Sequence, residues 1–303
     1  MTITEKQIEE RKHCIGGSDA AAIICFDPMT VWVNKVHGVD QEASEPMLLG
    51  IALETPLIEF AEPILGKMQR NQRRQVKEST IPFYSNIDAI VNESGEPVEA
   101  KTSGLLWAAA ADGWGEPDTD EVPEYVCIQA HSHMMATERE ICHVVAWLPR
   151  GRGRTMFHVK RSEPLCTSIL TIVERFWNDY VLTGIPPQID DNYRGDALKA
   201  LARIKRVPGK LAKVNADFVK TVNRLEVAKL AITEFKRIEK AAKTQIVVGL
   251  GDAEGAELPD GRMVVYVEES RAGHTVKPYT FRTPRIKTKP KGDDDGRCIS
   301  YDT

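Results

Sequence analysis

The chain has no two cysteines spaced as a C-x2-C pair; its six Cys, at 14, 25, 127, 142, 166 and 298, lie scattered. That spacing argues against structural zinc, a disulfide framework, and an iron–sulfur cluster, which needs four clustered thiolates. No stretch approaches the roughly 18 consecutive apolar residues of a membrane span. The opening MTITEKQIEERK is polar and lacks the apolar core of a secretory signal, so a cytoplasmic location is expected. Positive charge is not in excess: 40 Lys and Arg stand against 44 Asp and Glu, a formal net charge of −4. The chain as a whole is therefore no basic nucleic-acid binder, and any such surface must be local. No internal repeat is visible.

What is present suits a globular protein. Hydrophobic residues make up 42% and charged residues 28% of 303 positions, enough for one large domain or a domain with an appendage. The chain is organised around Asn86–Thr102, NIDAIVNESGEPVEAKT. It reads as a hairpin, with strand Asn86–Val91, a turn over Asn92–Pro97 and strand Val98–Lys101. Residues i and i+2 of a strand share a face, so Glu99 and Lys101 project together, and the hairpin partner brings Asp88 beside them. Two carboxylates suit a hard divalent cation, and the ammonium can polarise a water or a phosphate oxygen. An ordinary cross-strand salt bridge on a surface hairpin is the plain alternative.

Other motifs flank this hairpin in order. Upstream lie Arg11-x4-Gly16-Gly17-Ser18-Asp19-Ala20-Ala21-Ala22 and Gly50-x3-Glu54. Downstream lie Pro123-x-Tyr125-x3-Gln129, running on to Met134, and Phe176-Trp177 with Gly184-x-Pro186. Gly16 and Gly17 let backbone N–H groups approach a ligand. Ser18 is a candidate N-cap for a helix Asp19–Cys25, which together could hold a phosphate; a plain capped helix is the alternative. Leu48–Gly66 has helical spacing, with Leu49, Leu53, Leu57 and Phe60 on one side. Glu54 falls beside that face, either solvated or turned inward as a ligand.

Taken together, these motifs resemble the YqaJ-type viral recombinases, phage lambda exonuclease-like members of the PD-(D/E)xK nuclease superfamily, over roughly residues 8 to 187. The resemblance implies a restriction-endonuclease-like α/β fold, a mixed sheet flanked by helices. It implies a catalytic trio of Asp88, Glu99 and Lys101, with Glu54 as a helix-borne acid and Gln129 as a supporting glutamine. Mg²⁺, with Mn²⁺ as a substitute, would lie on Asp88, Glu99, the Ala100 carbonyl and Glu54. Arg11, Gly17 and Ser18 match phosphate-pocket positions. Ile87 stands where the superfamily name expects Pro, and His131 where the lambda enzyme has a second glutamine. The implied activity is 5′-to-3′ digestion of one strand of a DNA duplex from its ends. That fits phage-type recombination by single-strand annealing, in a phage or prophage protein of a bacterial host. A homotrimer and a single-strand annealing partner are implied with it; no membrane is. An endonuclease of the same superfamily, or a non-catalytic DNA-end-binding or assembly protein, are the rival readings.

The remaining chain reads as follows. Ile3–His13, Val31–His37, Tyr125–Thr137 and Leu165–Thr183 are expected helices, and Ile141–Leu148 and Arg154–Arg161 strands. Met68–Ile81, with Arg70, Arg73, Arg74 and Lys77, is a basic strand edge or loop that either contacts DNA or simply stays solvated. The Arg150, Arg152 and Arg154 turn carries the same two readings. Trp107–Glu124 is expected as a helix running into an acidic loop. His131 and His133, at i and i+2, do not share a helix face and are not expected to form a metal pair. The expected organisation is a nuclease domain over 1–188, a linker over 189–210, a long helix and hairpin module over 211–282, and a flexible tail over 283–303. The module's helix is Leu211–Val248 and its hairpin Arg262–Glu268 with Val276–Arg282.

Overall fold

A computed structural model describes residues 11–38, 44–103, 113–149, 152–189, 193, 195 and 197–266. The expected residues 3–10 of the first helix, 107–112 of the acidic segment, the strand Val276–Arg282 and the tail lie outside the described residues. Two compact units are present, Met1–Lys205 and Arg206–Thr303.

The first unit is a six-stranded mixed sheet with helices on both faces. Its central strand, β3 (Phe83–Val91), pairs antiparallel with β2 (Met68–Gln75) from Met68↔Val91 to Gln75↔Tyr84. Its pairing with β4 (Pro97–Thr102) is limited to Ala89↔Val98 and Ile90↔Pro97. Beyond that point β3 and β4 part. The short β1 (Ile15–Gly16) pairs parallel with Phe83 and Tyr84, at the end of β3 that β4 has left. β4 runs parallel to β5 (Ile141–Leu148), and β5 antiparallel to β6 (Gly153–Lys160). Parallel neighbours need a crossover. Here it contains α4 (Glu124–Thr137), which follows α1 (Gly17–Cys25), α2 (Pro28–His37) and α3 (Glu45–Leu65).

Alternation along β5 divides the two faces. Val144, Ala146 and Leu148 pack with Val126, Ala130 and Met134 of α4. Val145 packs with Leu57, Ile58 and Ala61 of α3, beside Ala89 and Val98. Because Glu99 pairs with Val144 and Lys101 with Ala146, both site residues face α4. A third cluster, centred on Ile15, Val33, Phe83, Ile169 and Val173, joins α1 and α2 to α5 (Glu163–Phe176). A π turn, Trp177–Val181, ends α5, where the sequence suggested one helix to Thr183.

One boundary differs from the sequence reading. The first unit does not stop at 188. α6 (Ala197–Ala202) buries Ala197 and Ala200 in the third cluster. The Tyr193 hydroxyl donates to Asp27 Oδ1 at 2.8 Å and fastens the approach to α6. A chain ending after Lys205 is therefore expected to fold as the full first unit. One ending at Gln188 is expected to melt about 2–8 °C lower by calorimetry, as roughly 1–2 kcal/mol of packing is lost.

The second unit holds α7 (Ala216–Leu250), capped by Asn215, whose side chain accepts from Phe218 N at 3.0 Å. The apolar stripe residues Phe218, Leu225, Ile232, Phe235 and Ile246 are exposed. A hairpin joins Gly255–Glu257 (β7) to Met263–Val265 (β8) across the positive-φ Gly261, while the expected partner Val276–Arg282 lies outside the described residues.

Candidate active site

The site lies where β3 and β4 separate. Ala100 N has lost its place in the β3–β4 ladder and donates instead to Asp88 Oδ2 at 2.8 Å. Asp88 thus plugs the opening between the strands. Glu99 projects into it from β4 and is 4% exposed. Its Oε1 meets Lys101 Nζ at 2.5 Å and its Oε2 meets His133 Nε2 at 2.7 Å. Glu54 approaches from α3. That helix lies close to β4 at Gly50, where a Cβ would make an ordinary 3.5 Å contact with Thr102 Oγ1.

Electrostatics tie these groups together. Burial and the charge of Glu99 push the Asp88 carboxyl well up, against the Ala100 hydrogen bond and Lys101. Burial and the charge of Glu99 also raise Glu54. Burial alone would raise Glu99, but Lys101 and His133 outweigh it and hold Glu99 far below the usual carboxylate range. Burial would lower Lys101, yet Glu99 and Asp88 raise it, so the ammonium is held. Three carboxylates raising or opposing one another around one cation is an arrangement short of positive charge. The donor chemistry, all hard oxygen, fits Mg²⁺. Among the described residues no group of three His, Cys, Asp or Glu side chains stands arranged to hold one ion.

Gln129 stands on α4, half-buried, one turn after Tyr125 and one turn before His133. Tyr125 is close enough to act electrostatically on Lys101. One face of α4 therefore carries Tyr125, Gln129 and His133 towards the trio. The sequence reading missed His133. Its Nδ1 lies 2.6 Å from Ser85 Oγ. His131 points elsewhere: its Nδ1 meets the Cys127 carbonyl at 2.8 Å and its Nε2 accepts from Ser162 N at 3.1 Å. The two histidines do not converge, as their spacing required.

The Arg11–Ser18 turn sits beside this face. Gly17 is packed rather than open: a Cβ there would meet Ser132 Cβ at 3.2 Å and Ser85 Oγ at 3.5 Å. Ser18 does not cap. The helix starts one residue earlier, and Asp19 Oδ2 accepts from Gly16 N at 2.8 Å in that role. Ser18 and Arg11 are exposed. Lys35, also missed, fastens the turn from α2: its Nζ reaches Asp19 Oδ2 at 2.6 Å and the Arg11 carbonyl at 2.7 Å. A cavity of about 400 Å³, lined by His13, Cys14, Arg73, Pro82 and Tyr84, opens next to the turn and holds none of the trio.

The basic segments are partly spoken for. Arg70 pairs with Glu59 and Glu62 at 3.6 and 3.5 Å, and Lys77 with Glu138 at 2.7 Å. Arg73 stacks on Tyr84, and Arg154 on Phe60. Arg152 donates to the Trp114 and Gly115 carbonyls. The acidic segment near Asp118 is tied to β6 through Asp118 N to the Met156 carbonyl and His158 N to the Thr119 carbonyl.

Residues 8–140 match the family described as the YqaJ-like viral recombinase domain, which bears out the resemblance read from the motifs. The chain is 25% identical to the uncharacterised protein YqaJ of Bacillus subtilis (strain 168) over 262 residues, 84% of this chain and 80% of that one. Among solved structures it is similar to LHK-Exo in complex with dAMP. The TM-score is 0.50 at 17% identity, covering 60% of this chain and 94% of the other. Another structure of LHK-Exo, described as an alkaline exonuclease from Laribacter hongkongensis, matches with a TM-score of 0.49 at 18% identity, over the same shares. The fold of the first unit is restriction-endonuclease-like.

Proposed function

We propose that this protein is a divalent-metal-dependent deoxyribonuclease, an exonuclease that digests one strand of a DNA duplex from its 5′ end. The observation that carries the reading is the convergence of Asp88, Glu99 and Lys101, with Glu54 beside them, at the point where β3 and β4 part. The YqaJ-like match and the exonuclease fold likeness support it.

Bound on Asp88, Glu99, Glu54 and the Ala100 carbonyl, Mg²⁺ or Mn²⁺ would lower the pKa of water and stabilise charge on the phosphoryl oxygens. The chain's own residues do the rest. Lys101, held as an ammonium, donates to the attacking water or to a phosphate oxygen and so orients it. In this charge state it is a donor, not the base. The water oxygen bonds to phosphorus and the P–O3′ bond breaks. The attacking water gives up a proton to solvent and the leaving oxygen takes one from it to become a 3′-hydroxyl, and a 5′-phosphate remains on the next nucleotide. Gln129 keeps Lys101 or the scissile strand in place from α4.

The single strand left behind would pass to an annealing protein, in recombination of the kind phages and prophages use in the bacterial cytoplasm. A ring of identical chains, a trimer by family likeness, would supply processivity without a basic monomer. Among the described residues no helix is long and apolar enough to cross a membrane. The second unit would serve as a docking appendage, leaving the chemistry to residues 1–205.

The Arg11 guanidinium, the exposed Ser18 hydroxyl and the N-terminal turn of α1 at Gly17 would grip a terminal 5′-phosphate, which carries more charge than an internal one. Linear duplexes with 5′-phosphate are then expected to be digested about tenfold faster or more than those with 5′-hydroxyl, a difference of about 1.4 kcal/mol in transition-state binding. Arg11→Ala is expected to erase most of that preference. Covalently closed circles should survive. Equal rates on the two ends, or cutting of closed circles, would remove the end-directed reading in favour of an endonuclease.

A further inference from the structure

We propose that His133 is a positioning residue: it holds the Glu99 carboxylate in its metal-binding orientation when Lys101 lets go of it to engage substrate. The inference rests on the roles proposed for Glu99 and Lys101 and adds a residue that those roles require.

The geometry assigns each hydrogen. Glu99, paired with Lys101, is a carboxylate and can only accept, so His133 Nε2 carries the hydrogen on the 2.7 Å contact. Nδ1 is then the acceptor, and the Ser85 hydroxyl donates to it at 2.6 Å. All three groups are buried, with Ser85 at 0% and His133 at 1% exposure. A ring gripped at both nitrogens, on a helix seated against Gly17 and the sheet, has one orientation. Glu99 has two oxygens and two partners. Lys101 is the mobile one: it ends a flexible stem and its side chain is one-fifth exposed, whereas the His133 side chain is 2% exposed. If Lys101 turns to water or phosphate, His133 remains as the contact that fixes Glu99. Carboxylates that bind metals are oriented by such outer partners, whose loss typically costs about 10- to 100-fold in metal affinity or activity.

A buried histidine that merely satisfies its neighbours would share this geometry, so the test needs readouts that packing alone does not move. Full-length wild type, His133→Ala, His133→Gln and Ser85→Ala are compared by Mg²⁺ calorimetry and by digestion of a linear duplex across Mg²⁺ concentrations. Thermal melts establish the folded fraction. His133→Ala is expected to bind Mg²⁺ about 10-fold more weakly or worse, with KM for DNA within about twofold of wild type. Added imidazole, which fits the vacated space, should raise its rate several-fold. His133→Gln, whose amide N–H can reach Glu99, should recover part of the Mg²⁺ affinity, and Ser85→Ala should lie between wild type and His133→Ala. Wild-type Mg²⁺ affinity in His133→Ala would overturn the proposal, as would a loss that neither imidazole nor His133→Gln relieves. The calorimetric arm needs no turnover. A wild type that binds Mg²⁺ yet cuts nothing would therefore strike the nuclease reading and leave this one to be judged on affinity.

Discussion

Lys101→Ala is expected to slow phosphodiester hydrolysis by about 10²-fold or more, the usual scale for a group that orients or protonates at the reacting centre. DNA binding in the absence of metal should change little, because one ammonium among many phosphate contacts is lost. The structure adds a second consequence. Lys101 and Glu99 are 2.5 Å apart, and Glu99 is buried. Removing the cation leaves a buried carboxylate with His133 as its remaining partner, which destabilises by roughly 2–4 kcal/mol. The sign with pH follows. Glu99 is held below its unfolded value, so its stabilisation is present above the normal carboxylate range and is lost as pH falls through the folded value. The stability gap between wild type and Lys101→Ala should therefore be widest at neutral pH and above, and close in acid. Saturating Mg²⁺ should narrow it at neutral pH, by returning positive charge to Glu99. A Lys101→Ala protein with wild-type turnover would remove Lys101 from the mechanism.

Asp88→Asn and Glu99→Gln are expected to abolish most Mg²⁺ binding and turnover alike, since a neutral amide replaces a charged hard ligand. In metal-free protein they should move stability in opposite directions. Asp88 is raised by burial and by the charge of Glu99. A raised acid stabilises the fold at low pH and ceases to do so as pH climbs through its folded value. At pH 8 the metal-free protein bears that repulsion, and Asp88→Asn removes it. Its Tm should rise above wild type by roughly 2–4 °C per kcal/mol gained, and the advantage should vanish below about pH 4. Glu99→Gln breaks the pairs with Lys101 and His133 and should lower Tm at neutral pH. Ca²⁺ should bind the wild type yet support little turnover, because its looser coordination places water poorly. Calorimetry that finds unchanged Mg²⁺ affinity in both variants would refute the ligand roles.

Much of this site is written locally in the chain. The hairpin is legible because a Ser-Gly turn separates two short strands, and the i, i+2 rule alone puts Glu99 and Lys101 together. β5 runs from Ile141 to Leu148 as its apolar run suggests. What escaped depends on contacts between distant segments. His133 could have been found: Tyr125, Gln129 and His133 recur every four residues and so share a helix face. Lys35 is a lone cation on a helix that otherwise buries Val31, Trp32 and Val33, a signal that it must meet an acid. Ser18 is a cap by residue type, but Asp19 reaches back to Gly16 and is itself held by Lys35. The linker is expected to hold one short helix, and α6 is that helix; what is not legible is that it packs, since Ala197 and Ala200 carry too little hydrophobicity to mark a buried face. The three-residue β7, Gly-Ala-Glu, has no β-branched residue to announce a strand.

The most direct test of the nuclease account is digestion of a linear duplex carrying distinguishable labels on its two 5′ ends and its two 3′ ends, with Mg²⁺ and then with EDTA. The account predicts early release of both 5′ labels as short products. Single strands bearing the 3′ labels should accumulate, and EDTA should stop the reaction entirely. Release of the 3′ labels first would reverse the polarity, and cleavage that continues in EDTA, or none under any divalent metal, would contradict the account at its centre.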